Sequence, residues 1–254
     1  MGDKRSDLIL DTVSGNGLGA KPTLDVDTIP KAKQEQQQQQ QQRQIEEQQM
    51  PTICGYSQHM QQVGGPDGGS GSRLYSRQDW GARLAKQVEH FPGPAPYVII
   101  HHSYIPAACF TTEDCMKSMR SMQDFHQLER GWNDIGYSFG IGGDGMIYTG
   151  RGFNTIGAHA PKYNDKSVGI VLIGDWRTEL PPQNMLQAAK DLIAFGVAKG
   201  YIDPAYKLLG HRQVRDTECP GGRLFEEISS WPHFTILNTT ATDVKSTQAA
   251  VQKV

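Results

Sequence analysis

Two short apolar runs, Tyr97–His101 and Ser167–Gly174, proceed without alternation of polar and apolar positions. Runs of this kind are typical of strands that are buried on both faces of a sheet. A third segment, Tyr206–Gly210, predicts a final strand that delivers His211 to the loop behind it. We therefore expect a central sheet with other elements packed on it.

A hairpin is predicted in the middle of the chain. Tyr137–Ile141 and Met146–Gly150 have the residue types of strands, and Gly142–Gly145 between them is a strong turn signal. The same glycines could suggest a phosphate cradle, but no helix opens after them, so the hairpin is the favoured interpretation. Since the strands of a hairpin are antiparallel, the sheet is expected to be mixed.

Helical spacing of apolar positions predicts three helices beside these strands. The first extends from about Thr112 to Leu128 and is broken by Gly131. The residues spaced along one of its faces are Cys115, Met119, Met122 and His126. The second, Gln183–Lys199, ends at a glycine, and the third is Arg223–Ser230. Strands and helices together indicate an α/β fold, a single domain with a central mixed β-sheet flanked by helices.

The folded domain is expected to span residues 74–234, with Trp80 as an apolar anchor near its start. Residues 1–73 form a low-complexity tail with a glutamine run and a Gly/Ser-rich stretch, and residues 235–254 form a polar C-terminal tail. Polar, low-complexity sequence cannot bury enough apolar surface to offset the entropy of ordering. Disorder is therefore favoured for the first tail over a transient helix or a self-association segment at Gln34–Gln49.

Charge and hydropathy argue against two classes of partner. The formal net charge of −2 implies no bulk attraction to nucleic acid or to an anionic membrane, and no aromatic-interleaved basic patch is present. No apolar run approaches the roughly 20 residues that span a bilayer. The N-terminus is charged where a secretory signal needs an apolar core, although Gly2 and Ser6 fit the loose myristoylation pattern.

Cysteine usage indicates a different compartment. Cys109 and Cys115 flank a helix-start signal, Thr111–Asp114, and a disulfide between them would tie a loop to the first turn of the helix. Disulfides are typical of oxidising compartments, and Asn238–Thr240 is a glycosylation acceptor pattern. Since no signal peptide is visible, localisation stays open between a secreted and an intracellular form. A secretory-type domain on an alternative N-terminus would reconcile the two signals.

The candidate chemistry begins with His211 and Cys219, which lie eight positions apart on a polar loop. Imidazole and thiolate are ligands that zinc prefers, and three protein ligands plus water make a catalytic zinc site. His101 is the candidate third ligand, because it ends a buried strand and needs a hydrogen-bond or metal partner there. Against this, most His/Cys pairs at this spacing are unrelated, and a lone buried histidine is more often a satisfied core residue.

Three further residues have less specific interpretations. His126 lies on a predicted helix face and His159 in a polar loop. Both are expected to be groove or structural residues rather than metal ligands. Tyr137 is an aromatic residue on a predicted strand, and from the residues alone packing and function are equally open for it.

Several segments resemble the peptidoglycan recognition proteins, relatives of the phage-type zinc amidases. These segments are Ser76–Ala82, Val98–Ser103, Gly131–Phe139, Gly157–His159 and the stretch from Gly210 to Gly221. The resemblance is dense across residues 74–234 and is closest to the catalytic, LB-type members. It implies the type-2 amidase fold for the domain and does not extend to the N-terminal tail.

The resemblance implies one Zn²⁺ held by His101, His211 and Cys219, with Tyr137 and Thr217 assisting catalysis. The implied reaction is hydrolysis of the amide between the lactyl group of N-acetylmuramic acid and L-alanine in bacterial peptidoglycan and muropeptides. Removing these fragments would dampen innate immune signalling. Non-catalytic receptors of the family typically lack the cysteine, so Cys219 favours an enzyme over a peptidoglycan-binding receptor or intracellular sensor. A structural zinc domain is a third interpretation, and the three-ligand set counts against it.

Specificity is also implied by the resemblance. Members that prefer the diaminopimelic acid type of peptidoglycan carry Gly-Trp before Asn-Asp, and here the pair is Gly131-Trp132. The residues implied to contact substrate are Gly131, Trp132, His126, His159, Asn164 and Lys166. This chain has Asp165 where some diaminopimelate-binding members have arginine. Lys162 and Lys166 are therefore the candidate partners of the extra carboxylate.

Overall fold

The computed structural model describes residues 73–237 and two separate positions, Lys33 and Gln37, which are helical and exposed. The chain divides into two compact units, Met1–Met50 and Pro51–Val254, and every element described below belongs to the second. The predictions for the low-complexity tail, apart from those two positions, lie outside the described residues. So do Asn238–Thr240 and the C-terminal tail beyond residue 237.

A six-stranded sheet forms the centre of the domain, in the order β1-β4-β3-β5-β2-β6. The strands are β1 (Leu74–Tyr75), β2 (Ala95–His102), β3 (Phe139–Ile141), β4 (Ile147–Thr149), β5 (Ser167–Leu172) and β6 (Ile202–Gly210). Only the β3–β4 hairpin is antiparallel, and the other neighbouring pairs run parallel. The predicted mixed sheet and its hairpin are thus confirmed.

Three helices cover the sheet: α1 (Thr112–Asp124), α2 (Gln183–Ala198) and α3 (Gly222–Ser229). On β5, Ile170 packs in the larger apolar cluster together with residues of α2 and α3. The next residue, Val171, packs in a second cluster with Met119 of α1 and with Trp80. Since successive residues of a strand point to opposite faces, the helices lie on both faces of the sheet. This explains the apolar runs without alternation.

Two features, a side-chain cap and a disulfide, stabilise the start of α1. The Thr111 hydroxyl accepts a hydrogen bond from the Asp114 N–H at 3.2 Å, which satisfies one of the free donors of the first turn. A disulfide joins Cys109 to Cys115, so the loop before the helix is tied to that turn. The sequence-based helix start and disulfide pair are both confirmed.

The end of α1 differs from the prediction. The α-helix stops at Asp124, and a π-helical turn, Phe125–Glu129, carries the chain onward. In this turn the Arg130 N–H donates to the Phe125 carbonyl, a spacing of five residues. The helical segment has the predicted length, but its last turn is wider than an α-helix. None of the described helices is long and apolar enough to cross a bilayer.

Trp80 fulfils the predicted anchor role, since its side chain is fully buried. Its indole N–H donates to the carbonyl oxygen of Thr149 at 2.9 Å. The ring therefore buries its apolar body in the core without leaving its one polar atom unpaired.

Candidate metal centre

Parallel pairing of β2 and β6 brings two histidines to the same edge of the sheet. Ile100 on β2 is the register partner of Gly210 on β6, so the next residues, His101 and His211, are neighbours. Cys219 reaches the same place from the loop that follows β6. All three side chains are buried, with His211 the most exposed at 9%.

The donor atoms of His101, His211 and Cys219 all lie within 4.8 Å of one another. The Cys219 Sγ is 3.8 Å from Nδ1 of His101, and it accepts a hydrogen bond from the His102 N–H at 3.4 Å. The buried Nε2 of His211 has no hydrogen-bond partner among the described residues. A buried polar atom without a partner is costly, and a metal ion would satisfy it. The residues therefore fit a metal of the zinc type, for which imidazole and thiolate are the preferred donors.

Burial sets the protonation states of these donors. It lowers the pKa of His101 well below the usual value, helped by the nearby His211 and His159. Burial also lowers the pKa of His211 to about 4, with further lowering by Arg215 and His102. Both imidazoles are therefore neutral at pH 7, which is the form that binds metal.

The thiol of Cys219 behaves in the opposite way. Burial raises its pKa to about 12, against smaller lowering by the His102 N–H and by Arg212. In the metal-free protein the thiol is thus protonated at pH 7. Because thiolate is the ligand form, binding of a metal must release this proton.

Tyr137 lies beside the donors but not within a strand, because β3 begins two residues later, at Phe139. Its half-buried ring is 5.3 Å from the ring of His101 and 5.7 Å from that of His126, measured between centroids. Burial raises the pKa of the Tyr137 phenol above its usual value of 10, with a further contribution from Cys219. The hydroxyl therefore stays protonated near neutral pH and is able to donate a hydrogen bond.

Thr217 is half-buried on the loop that carries Cys219. Its hydroxyl oxygen accepts a hydrogen bond from the Cys219 N–H at 3.3 Å. This bond uses one lone pair and leaves the hydroxyl hydrogen available to a second partner.

The predicted groove residues on the α1 side lie next to one another. Trp132 stacks on His126 with ring centroids 4.7 Å apart and an interplanar angle of 16°, while the indole remains 37% exposed. Nδ1 of His126 accepts a hydrogen bond from the Gly136 N–H at 3.1 Å, so this ring is held by the backbone. Gly131 has a φ of +71°, and a side-chain carbon there would meet no atom within 4 Å. Its conformation, rather than crowding, is what requires glycine.

Two other predicted substrate-contact residues, Asn164 and Lys166, lie on the loop that precedes β5. The Asn164 side-chain oxygen accepts hydrogen bonds from the N–H groups of His159 and Ala160, both at 2.8 Å. Its carbonyl oxygen is therefore engaged within its own loop. The Lys166 ammonium lies 5.1 Å from the ring centroid of Tyr163, so it rests over an aromatic face.

The sequence placed His159 in the groove but did not indicate its contact with a metal-site histidine. Nδ1 of His159 lies 3.0 Å from Nε2 of His101, and the His159 side chain is buried. A side-chain carbon on either Gly157 or Gly169 would come within 2.5 Å of the His159 ring. Two glycines thus leave the space that the His159 ring fills.

Two buried histidines and a cysteine thus meet at one edge of a mixed sheet that helices cover on both faces, which makes this an α/β protein with a site suited to a metal. The chain belongs to the N-acetylmuramoyl-L-alanine amidase family (Amidase_2), which it matches over residues 92–222, and within it to the peptidoglycan recognition proteins. Its enzyme class is that of the N-acetylmuramoyl-L-alanine amidases.

Two relatives, one of them compared both by sequence and by structure, illustrate the match. The chain is 81% identical over 200 residues to peptidoglycan-recognition protein LB of Drosophila melanogaster, covering 79% of this chain and 86% of that protein. The solved structure of wild-type Drosophila PGRP-LB has 87% sequence identity and a TM-score of 0.65, covering 66% of this chain and 98% of its own. The solved structure of peptidoglycan recognition protein LE has 40% identity and a TM-score of 0.65, covering 66% of this chain and 99% of its own. That protein is in complex with tracheal cytotoxin, described as monomeric diaminopimelic acid-type peptidoglycan.

Proposed function

We propose that this protein is a zinc-dependent amidase that hydrolyses the bond between the lactyl group of N-acetylmuramic acid and L-alanine. The observation that carries the proposal is the group of donor atoms of His101, His211 and Cys219 within 4.8 Å of one another. The unpartnered Nε2 of His211 supports a metal in that position. Three protein donors leave room for a water or substrate in a tetrahedral site.

Zinc bound there would supply a Lewis acid that activates water and polarises the amide carbonyl. The neutral imidazoles of His101 and His211 and the thiolate of Cys219 would hold it, so the site would keep a net positive charge. Tyr137 would donate a hydrogen bond to the oxygen on which negative charge develops during amide hydrolysis. Because its pKa is raised, Tyr137 serves as a donor rather than as a general base. Thr217 would offer its hydroxyl hydrogen as a second polar contact.

We further propose a preference for diaminopimelic acid-type peptidoglycan. Gly131 is exposed and has no side chain over its backbone N–H, which leaves that donor accessible to the extra carboxylate of diaminopimelate. The partly exposed Trp132 would provide a packing wall beside it. The cationic partner is assigned to Lys162 or Lys166, in place of the arginine that some family members have. The bound ligand described for recognition protein LE supports this substrate class.

The preference is tested by kcat/KM for two muropeptides that differ only in diaminopimelate or lysine. We expect faster release of the stem peptide from the diaminopimelate form, and a smaller ratio in Lys166→Met or Lys162→Met if that lysine pairs the carboxylate. Equal turnover of the two muropeptides would rule the preference out.

In the organism, removal of such fragments would lower the immune response that they evoke, so a catalytically inactive variant should prolong that response.

The central experiment measures zinc content and peptide release for the parent protein and for Cys219→Ser. We expect one zinc per chain and turnover in the parent, and loss of both in the variant, because a serine hydroxyl is a poor zinc ligand at neutral pH. Cys54→Ser makes the same chemical change outside the matched domain and should retain both properties. If the parent binds muropeptide without cleaving it, the protein is a receptor rather than an enzyme.

A further inference from the structure

A line of hydrogen bonds leads away from the metal-type site into the domain. Nε2 of His101 lies 3.0 Å from Nδ1 of His159. On the other side of that ring, Nε2 of His159 lies 3.4 Å from the Ser167 hydroxyl. The Ser167 hydroxyl in turn donates to the backbone carbonyl of Tyr163 at 2.6 Å. The three side chains that form this line are all buried.

The far end of the line determines where each proton lies. The Tyr163 carbonyl can only accept, so the hydrogen of Ser167 must point toward it. The Ser167 oxygen is then free to accept from His159, which requires the proton of the neutral His159 ring to be on Nε2. That assignment leaves Nδ1 of His159 without a proton, so this atom must accept a hydrogen bond from the Nε2–H of His101. Nδ1 of the neutral His101 ring is consequently unprotonated as well, and this is the atom 3.8 Å from the Cys219 Sγ.

The surroundings of His159 hold its ring in this position. The backbone N–H of His159 donates a hydrogen bond to the Asn164 side-chain oxygen at 2.8 Å, which fixes the backbone at this residue. The ring lies in the slot left by Gly157 and Gly169, where any side-chain carbon would come within 2.5 Å of it. A bulkier residue at either glycine would displace the ring from His101. The loop that carries Gly157 and strand β5, which carries Gly169, therefore both leave space for the His159 ring.

We propose that His159 is a positioning residue for the metal centre, which accepts the Nε2 proton of His101 and so keeps the Nδ1 lone pair of His101 directed at the metal. This inference rests on the proposed zinc function. Metal-bound histidines commonly donate their second N–H to a carboxylate or a carbonyl. A neutral imidazole in that place orients the ligand without adding negative charge, and the site keeps the positive charge that amide polarisation needs.

The proton assignment is tested on the full-length protein by long-range ¹H–¹⁵N spectra of histidine side chains, recorded without metal and with zinc. We expect both His101 and His159 to carry the proton on Nε2 in each state. A proton on Nδ1 of either ring would overturn the proposal. The measurement does not depend on activity, and the zinc-free spectrum does not depend on the proposed function.

Two variants of nearly equal size separate hydrogen bonding from packing. His159→Asn places an oxygen where Nδ1 was and retains an acceptor for His101, whereas His159→Leu fills similar space without one. Zinc affinity, measured by competition with a chelator, should fall about 10- to 100-fold in the leucine variant. The asparagine variant should retain most of the affinity. Equal affinity of His159→Leu and the parent, or equal weakening in both variants, would contradict the positioning role.

Ser167→Ala provides a further variant in case His159→Leu does not fold. It removes the acceptor for the Nε2 proton of His159, so the spectra should show this ring in a mixture of its two neutral forms, and zinc should bind more weakly. Unchanged ring protonation in Ser167→Ala would contradict the proposed line of bonds. A parent protein that binds no zinc would defeat the proposed function, while the zinc-free spectra would still decide the proton assignment.

Discussion

Tyr137 has a protonated hydroxyl, and the centroid of its ring lies 5.3 Å from that of His101, a candidate zinc ligand. We expect Tyr137→Phe to lower kcat about 10²- to 10³-fold, the usual effect of removing one donor to a developing oxyanion. Zinc content should be unchanged, because the proposed metal donors are His101, His211 and Cys219. Single-turnover peptide release and metal analysis check both results. Tyr206→Phe, where the ring stacks on His233, is the matched control, and a Tyr137→Phe variant that loses its zinc would contradict the assigned role.

Gly131 illustrates how a residue can be required for its backbone alone. Its φ of +71° disfavours residues with a side chain, and the space around it is open. We expect Gly131→Ala to lower the free energy of unfolding by about 1–2 kcal/mol, and Gly131→Asn to lower it less, because asparagine tolerates this conformation. Urea unfolding of the two variants measures the difference. An alanine variant as stable as the parent would show that the loop relaxes.

At the scale of single elements, the cap of α1 offers a clean comparison between two neighbouring threonines. Thr111 caps the helix through its hydroxyl, whereas Thr112 is the first helical residue and provides no side-chain cap. Thr111→Ala should lower the free energy of unfolding by about 1 kcal/mol. Thr112→Ala should change it much less, and equal losses in urea unfolding would argue against the cap.

The same helix shows what periodicity cannot distinguish. Spacing of apolar residues predicted one helix from about Thr112 to Leu128, and the chain is indeed helical throughout that range. A π-helical turn at Phe125–Glu129 inserts one extra residue per turn, which a pattern of three- and four-residue steps does not reveal. The position of His126 in that turn, stacked on Trp132, was therefore not predictable from local spacing.

At the scale of the whole molecule, buried histidines make stability depend on pH. Burial lowers the pKa below the usual 6.5 for a set of rings, to about 4 or about 3; these are His102, His126, His159 and His211. Well above pH 6.5 these rings are neutral in both the folded and the unfolded chain. As the pH falls through 6.5 toward about 4, the unfolded chain binds more protons than the folded chain, so stability must fall with pH through this window.

Urea midpoints of the zinc-free protein at pH 7.5, 6.5 and 5.5 measure this dependence. The midpoint should already be lower at the second value than at the first, because these rings are half protonated at pH 6.5 in the unfolded chain, and it should be lower still at the third. His126→Asn keeps an acceptor for the Gly136 N–H and removes one titrating ring, so its loss below pH 6.5 should be smaller. His90→Gln, at an exposed position, is the matched control. A midpoint that rises on acidification would contradict the prediction.

Much of this protein was readable from its sequence, because its signals are local. Apolar runs without alternation predicted the buried strands β2 and β5, and turn glycines predicted the hairpin that makes the sheet mixed. A threonine cap and two cysteines predicted the start of α1. Residue type selected His101, His211 and Cys219 as candidate donors, since few other side chains bind zinc well. The resemblance of several segments to the peptidoglycan recognition proteins then indicated the family.

Tertiary structure decided which of these residues meet. The order of the strands and the parallel register of β2 with β6 put His101 beside His211, and neither order nor register is encoded in a local pattern. His159 and His101 lie 58 residues apart in sequence, yet their ring nitrogens are 3.0 Å apart. Asn164, which the family resemblance implied to contact substrate, has its side-chain oxygen hydrogen-bonded within its own loop. Residue chemistry is therefore visible in the sequence, whereas contacts between distant segments depend on packing, which places each side chain only when the whole sheet has formed.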